Sequence, residues 1–306
     1  MDLQTVQSGI YQDLPSHGCY LTFDLNAGVM APQLKNSLAQ LSDWADGQNV
    51  NLGENLVLGL GDACLSLLKT DAIDDLSFPS FSAASAKTIQ VASTPTALWC
   101  WLRGQDAGDI LLWSQSLQTQ LQDSFNLVAI VDSFKHQEGR DLTGYIDGTE
   151  NPVEQAAFDA AFVQGKTQGL NGASYVAVQQ WQHDLAHFKS LKQSHQDHII
   201  GRRLSDNYEL PDAPISAHVK RTAQESFSPQ AFMLRRSMPY KVQLNAGLMF
   251  VCFANSAQPF AQQLNRMVGG EDGVTDGLFE FSKPLTGAYY WCPPLSNAGF
   301  DFSALD

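Results

Sequence analysis

The sequence is poor in charged residues and contains no long apolar run. Charged residues make up 16% of the 306 positions and hydrophobic residues 44%, which predicts a substantial core rather than disorder. No uninterrupted apolar stretch approaches the roughly 18 residues that a membrane-spanning helix requires, so no membrane partner is predicted. Basic side chains are scarce, because 18 lysines and arginines stand against 32 acidic residues, a formal net charge of −14. That charge argues against nucleic acid as a partner.

Cysteine is also scarce, with five residues and no CxxC pair. The cysteines are widely spaced, and three of them lie in the apolar runs LWCWL, MFVCFAN and YYWCPP. Reduced, buried thiols are therefore predicted in preference to disulfides. The first residues, MDLQTVQSGI, lack the basic region, the apolar region and the twin arginine of export signals, so a cytoplasmic protein is predicted. The cysteines are Cys19, Cys64, Cys100, Cys252 and Cys292.

The hydrophobic pattern of the first half predicts an α+β unit. Strands are predicted at 18–26, 54–68, 96–104 and 125–136, with helices at 31–45 and 106–125. The order is strand, helix, strand, strand, helix, strand. This order is the split βαβ arrangement of a ferredoxin-like unit.

The second half is predicted to repeat this scheme. Strands are predicted at 173–185 and 286–294, a turn and a strong apolar strand within 240–256, and helices at 184–201 and 259–269. The glycine- and charge-rich segment 136–148 is the predicted boundary, which gives domains at 1–139 and 140–306. Two antiparallel sheets with helices on one face would leave a cleft for a ligand.

The run HDLAH, residues 183–187, has two interpretations. His183 and His187 are four residues apart, as in the zinc-protease pattern HExxH, and His195 and His198 follow nearby. However, Asp184 stands where that pattern needs a glutamate. The alternative is that Asp184 caps the start of a helix and that His183 ends the preceding strand.

Two other stretches place polar residues where chemistry is possible. GYIDGTENP, residues 144–152, is typical of a turn, but its glycines would also let the backbone present Asp147 to a flat ligand. Further on, His218 follows a proline-rich segment, and Arg235 and Arg236 interrupt the apolar run FMLRRSMPY. An arginine that points inward from such a run needs a polar partner. We expect one of the two arginines to face a pocket and the other to face solvent.

Together these residues resemble the dye-decolorizing peroxidase family. The resemblance rests on GYIDGTENP, on WQHDL at 181–185, on IGR at 200–202, and on AHVKR at 217–221. It also rests on LRRSMPY at 234–240 and on the closing LFEFSKPLTGAYYWCPP. These motifs lie in the second half of the chain. The first half agrees in element order and length.

The family resemblance implies a cofactor as well as a fold. It implies two ferredoxin-like domains with haem b in the cleft, bound mainly by the C-terminal domain. His218 would be the proximal ligand of the haem iron, and Asp276 would accept the other ring N–H of that histidine. Arg202 would pair with a haem propionate. Gly148 and Thr149 would also contact the cofactor.

The resemblance further implies a reaction. Hydrogen peroxide would be reduced while aromatic, dye-like donors are oxidised in one-electron steps. A homo-oligomer is expected, and activity at acidic pH is expected because a carboxylate rather than a histidine would transfer the proton. Asp147 would transfer the proton, Arg235 would stabilise the negative charge that develops, and Ser237 would hold a water. Surface oxidation would need an aromatic relay, for which Trp181, Tyr289, Tyr290 and Trp291 are candidates. The alternatives are a haem-handling protein, which removes iron from haem or stores haem, and a zinc hydrolase that uses HDLAH.

Overall fold

A computed structural model describes residues 5–69, 76, 78–79, 81, 89–166 and 169–305. Its strands are β1 His17–Leu25, β2 Leu56–Leu60, β3 Leu98–Gly104, β4 Phe125–Phe134, β5 Ser174–His183, β6 Leu234–Arg235, β7 Met238–Val242, β8 Asn245–Ala254, β9 Ser282–Pro284, β10 Ala288–Cys292, β11 Leu295–Ser296 and β12 Gly299–Phe300. Its α-helices are α1 Ala31–Ala39, α2 Leu41–Gln48, α3 Asp62–Leu68, α4 Ala107–Leu121, α5 Glu154–Ala161, α6 Leu185–Ser190, α7 Gln193–Ile200, α8 His218–Arg221 and α9 Gln258–Met267.

Most predicted elements are present, and local signals set their ends. Asp106 caps α4 by accepting the backbone N–H groups of Gly108 and Asp109. Two helices predicted as continuous are each divided in two, α1 from α2 at Gln40 and α6 from α7 at 191–192. The predicted strand 54–68 ends at Leu60, and its second part is helix α3.

The strands join into one ten-stranded sheet rather than the two separate sheets that the pattern predicted. The order β4-β1-β3-β2 comes from the first half, and β10-β5-β8-β7 comes from the second half. Single residue pairs connect the two groups, Ser133 with Tyr240 and Leu60 with Trp291. Because β5 also pairs with β8, these eight strands form a closed ring. Closure pairs strands that would otherwise expose backbone hydrogen-bonding groups.

Alternate residues of the strands pack into two cores. Trp99, Trp101, Val251 and Phe253 belong to one cluster, whereas Cys252, on the opposite face of β8, belongs to the cluster that also contains side chains of α1 to α4 and α9. All five cysteines are buried and free, which confirms the predicted reduced thiols, and burial raises their pKa values. Within the described residues, no helix is long and apolar enough to span a bilayer.

Candidate active site

A cavity lies between β5, β8, α8 and α9, and its empty space amounts to about 580 Å³ when the open mouth is included. Its walls are mostly apolar, with a few convergent polar groups. The lining residues are Asp147, Gln179, Trp181, His183, His218, Thr222, Arg235, Leu248, Phe250, Phe260, Gln263, Met267, Leu278 and Ser282. Three of the predicted site residues, Asp147, His218 and Arg235, therefore meet in one cavity.

His218 is the first residue of α8, and a buried carboxylate fixes its ring. Its Nδ1 lies 2.8 Å from Oδ2 of Asp276, whose side chain is fully buried. The other oxygen of Asp276 accepts the backbone N–H of Leu278 at 2.8 Å, so the carboxylate is held from two sides. Nδ1–H therefore donates to Asp276, and Nε2 is the ring nitrogen that carries the free electron pair. This is the second-sphere arrangement that orients a histidine ligand and makes it more basic.

Asp147 lies in the turn that the GYIDG motif forms. Burial raises the pKa of its carboxyl group, while the positive charge of Arg235 opposes that rise and the negative charge of Asp141 adds to it. The backbone N–H of Gly148 donates to Oδ1 of Asp147 at 2.8 Å. The site therefore holds a carboxyl group that binds its proton more tightly than an exposed aspartate does.

Arg235 is positioned by Asn151 from the same turn. The Asn151 amide donates to the Arg235 carbonyl at 3.0 Å and accepts the Arg235 backbone N–H at 2.8 Å. Gly148 has φ of +76°, and a Cβ there would lie 2.9 Å from the Asn151 amide nitrogen, so a side chain would disturb this clamp. The side chain of Arg235 lines the cavity, and its Nε is buried without a partner among the described residues.

Arg236 turns away from the cavity, but it does not face solvent as predicted. Its guanidinium donates to the carbonyl groups of Ile10 at 3.0 Å and Tyr11 at 2.7 Å. Burial lowers its pKa. The second arginine therefore ties the chain near residue 10 to the segment between β6 and β7.

The remaining predicted site residues lie outside the cavity lining. Ser237 is buried, and its hydroxyl accepts the Val251 backbone N–H at 3.4 Å. Arg202 pairs with Glu150 and, at 2.9 Å, with Glu209. Thr149 accepts a hydrogen bond from the side chain of Asn207 at 2.9 Å. Gly148, described above, acts on the site through Asn151 and Asp147.

The HDLAH run does not form the helical histidine pair of a zinc protease. His183 ends β5, and Asp184 caps α6 by accepting the His187 backbone N–H at 2.9 Å, as the alternative interpretation predicted. His183 is held by Asp141 at 3.1 Å and by Ser282 at 2.6 Å, whereas His187 is exposed on α6. Within the part of the chain that the structure describes, no group of three or more His, Cys, Asp or Glu residues could bind a metal ion.

Several cavity residues were missed by the sequence interpretation. Gln179 lies on β5, and Phe260, Gln263 and Met267 follow one face of α9. Their spacing was visible in the sequence, but such spacing is equally typical of core residues. The clamp residue Asn151 was part of the motif, and only its contacts reveal its role.

Comparison with known protein families shows to which family the chain belongs. Residues 138–297 match the family model described as "Dyp-type peroxidase, C-terminal", and this range includes every residue of the cavity. The chain belongs to the Dyp-type peroxidase family. The match covers the second half of the chain, where the quoted motifs lie.

Three relatives show how far the similarity of this family member extends. A dye-decolorizing peroxidase of Rhodococcus erythropolis is 32% identical over 206 residues, which are 65% of this chain and 60% of that relative's own length. A deferrochelatase of Escherichia coli K12 is 25% identical over 50% of this chain and 42% of its own length. An arginine-to-leucine variant of DypB from Rhodococcus jostii RHA1, solved in complex with heme, is 23% identical with a TM-score of 0.81, covering 92% of this chain and 94% of its own. The last similarity shows the fold alone.

The raised pKa of Asp147 predicts a stability effect. Because the folded protein binds this proton more tightly than the unfolded chain, the group favours folding at low pH, and this contribution is lost as the pH rises through the raised pKa. Asp147→Asn should therefore match the wild type in stability below the ordinary aspartate pKa of 3.8 and exceed it increasingly toward neutral pH. Urea unfolding of the cofactor-free protein at several pH values measures this difference.

Asp272→Asn is the control with the opposite sign. Hydrogen bonds from Arg221 lower the pKa of Asp272 to about 2. That variant should be less stable than the wild type at neutral pH, and the loss should shrink as the pH falls toward 2. A constant stability difference for Asp147→Asn across the whole pH range would contradict the burial of a charged carboxylate at this position.

Proposed function

We propose that this protein is a haem peroxidase that reduces hydrogen peroxide and oxidises aromatic donors in one-electron steps. The observation that carries the proposal is the combination of groups in one cavity. These are a histidine with a buried carboxylate behind it, a carboxyl group with a raised pKa, and an arginine whose buried Nε has no partner among the described residues. Membership of the Dyp-type peroxidase family supports the same function.

The cavity residues fit a haem group. The apolar side chains Phe250, Phe260 and Leu248 suit the faces of a macrocycle, and His218 would supply a ring nitrogen to the iron. The buried Nε of Arg235 and the amide nitrogen of Gln179 have no partner among the described residues, as expected where a polar or charged ligand completes the site. Haem b is the form that we propose. When bound, it would supply the redox chemistry.

The chain's own residues would handle protons and charge. Asp276 accepts Nδ1–H of His218, which would leave Nε2 to bind the iron. Asp147 would accept the proton that peroxide loses and return it to the departing oxygen, because its raised pKa brings it closer to the working pH. Arg235 would stabilise the negative charge that develops, since its guanidinium cannot lose its proton at any working pH.

Four further assignments remain proposals. Arg202 would reach a haem propionate, for which it would exchange one of its two carboxylate partners. Gly148 and Thr149 would line the cofactor's edge. Ser237 would contribute only if its hydroxyl left the backbone N–H that it now accepts. For an aromatic relay, Trp181 is the candidate that lines the cavity, and the others, Tyr289, Tyr290 and Trp291, are core residues.

We also propose two ferredoxin-like domains, 1–139 and 140–306. The strand orders β4-β1-β3-β2 and β10-β5-β8-β7 support this division, because each is the order of an antiparallel split βαβ unit. The cavity lies entirely on residues of the second domain. A cytoplasmic location and a homo-oligomeric state also stay predictions.

A second candidate function is the removal of iron from haem, which the similarity to deferrochelatases favours. Analysis of products separates the two. The haem-loaded protein is incubated with hydrogen peroxide and 2-methoxyphenol (guaiacol), and then oxidised phenol, released iron and free porphyrin are quantified. The peroxidase predicts many equivalents of oxidised phenol with haem intact. Stoichiometric release of iron with intact porphyrin and no oxidised phenol would overturn it.

A further inference from the structure

A surface pocket lies directly outside the cavity and shares part of its wall. This outer pocket, about 1020 Å³ with its mouth, is formed by the end of β5, the start of α6, the tip of the β7–β8 hairpin and β9. His183 and Ser282 line both the cavity and the outer pocket. Phe279 lines the outer pocket, and its ring centre lies 5.4 Å from that of Trp181, which lines the cavity. One layer of side chains therefore separates the two spaces.

The shared wall is held by hydrogen bonds. Nε2 of His183 lies 3.1 Å from Oδ2 of Asp141, and Nδ1 lies 2.6 Å from the hydroxyl of Ser282. The side chains of His183 and Asp141 are only 7% and 13% exposed. Because both ring nitrogens are engaged, the ring is fixed between the two spaces. A molecule bound in the outer pocket would stay outside the cavity and still lie next to it.

The lining of the outer pocket fits an aromatic molecule. Leu185, Leu244 and Phe279 supply apolar surface. Leu244, at the hairpin tip, is 99% exposed, so it gains contacts only when something binds against it.

The charges around the outer pocket select against anions. Two carboxylates, Asp184 and Glu280, line the outer pocket together with one lysine, Lys283, and the chain has a net charge of −14. Glu280 also lies 2.9 Å from Nε2 of His195. We infer that the outer pocket binds the aromatic electron donor and that it prefers neutral phenols to sulfonated ones. This inference rests on the proposed peroxidase function and specifies its substrate class and docking site.

Binding without turnover tests the inference. The haem-loaded protein, without peroxide, is titrated with guaiacol and with 4-hydroxybenzenesulfonate, and the methyl resonances of ¹³C-labelled leucines are followed by NMR. Guaiacol should shift the Leu244 methyl resonances, and Leu244→Ser should weaken its binding about five-fold because apolar contact area is lost. Leu112→Ser is the matched control, because Leu112 is 62% exposed on α4 and lies outside the pocket lining.

The sulfonate tests the charge argument. It should bind at least ten-fold more weakly than guaiacol, and Glu280→Gln should narrow that difference. Guaiacol binding that leaves the Leu244 resonances unmoved, or a sulfonate that binds as tightly as guaiacol, would overturn the inference. If the protein were an active peroxidase and gave such a result, only the binding of the donor in the outer pocket would be refuted. An inactive protein whose guaiacol binding depends on Leu244 would refute the peroxidase function alone.

Discussion

Arg235→Leu should slow the reaction of the haem-loaded protein with hydrogen peroxide by about 100-fold or more, the scale on which one charge-stabilising donor contributes to a transition state. The Asn151 clamp binds only the backbone of residue 235, so the strand and the cavity should keep their shape in the variant. The loss of rate would therefore be caused by the missing guanidinium and not by a change in the shape of the cavity. Stopped-flow absorbance of the haem band over a range of peroxide concentrations gives the second-order rate constant.

The pH dependence of the same variant adds a second readout. Because the charge of Arg235 opposes the rise in the pKa of Asp147, its removal should move the Asp147 limb of the pH–rate profile to higher pH. Arg203→Leu is the matched control, since Arg203 is exposed and pairs with Asp206 away from the cavity. A wild-type rate in Arg235→Leu would remove this residue from the reaction with peroxide.

His218→Ala should lose haem affinity and change the haem spectrum, because the iron loses the ligand that the protein supplies. The loss should exceed that of Asp276→Asn, for which about 10- to 100-fold is expected, the usual effect of removing a second-sphere partner. Added imidazole should partly restore the spectrum of His218→Ala, because it can occupy the space of the missing ring. Equilibrium titration with haem, followed by absorbance, measures the haem affinities of the two variants. The same spectra show how far imidazole restores His218→Ala.

His187→Ala is the matched control for His218→Ala, because His187 is exposed on α6 and lies outside the cavity lining. It should bind haem as the wild type does. If His218→Ala bound haem with unchanged affinity and an unchanged spectrum, another residue would be the iron ligand. Asp276 would then not act by orienting that ligand.

The sequence predicted which residues would share a site better than it predicted the arrangement around them. Asp147, His218 and Arg235 belong to motifs, and the structure brings all three to one cavity. The family resemblance implied that Ser237, two residues after Arg235, would also lie there. β6 ends at Arg235 and β7 begins at Met238, so the alternation of strand faces is interrupted between them.

Other features depend on contacts that no local pattern encodes. The closed ring of strands depends on two single residue pairs between the halves, Ser133 with Tyr240 and Leu60 with Trp291, which are remote in sequence. The direction of Arg236 depends on the carbonyl groups of Ile10 and Tyr11, more than 200 residues away. Periodicity predicts which face of an element is buried, but it does not predict which partner covers that face.

The central claim is that the cavity holds haem and reacts with peroxide there. The most direct measurement is the visible absorption spectrum of the protein expressed with a supply of haem, before and after one equivalent of hydrogen peroxide. We predict an intense Soret band that shifts within the mixing time and returns when guaiacol is added. A protein that stays colourless even after haem is added back, or a Soret band that does not respond to peroxide, would contradict the account.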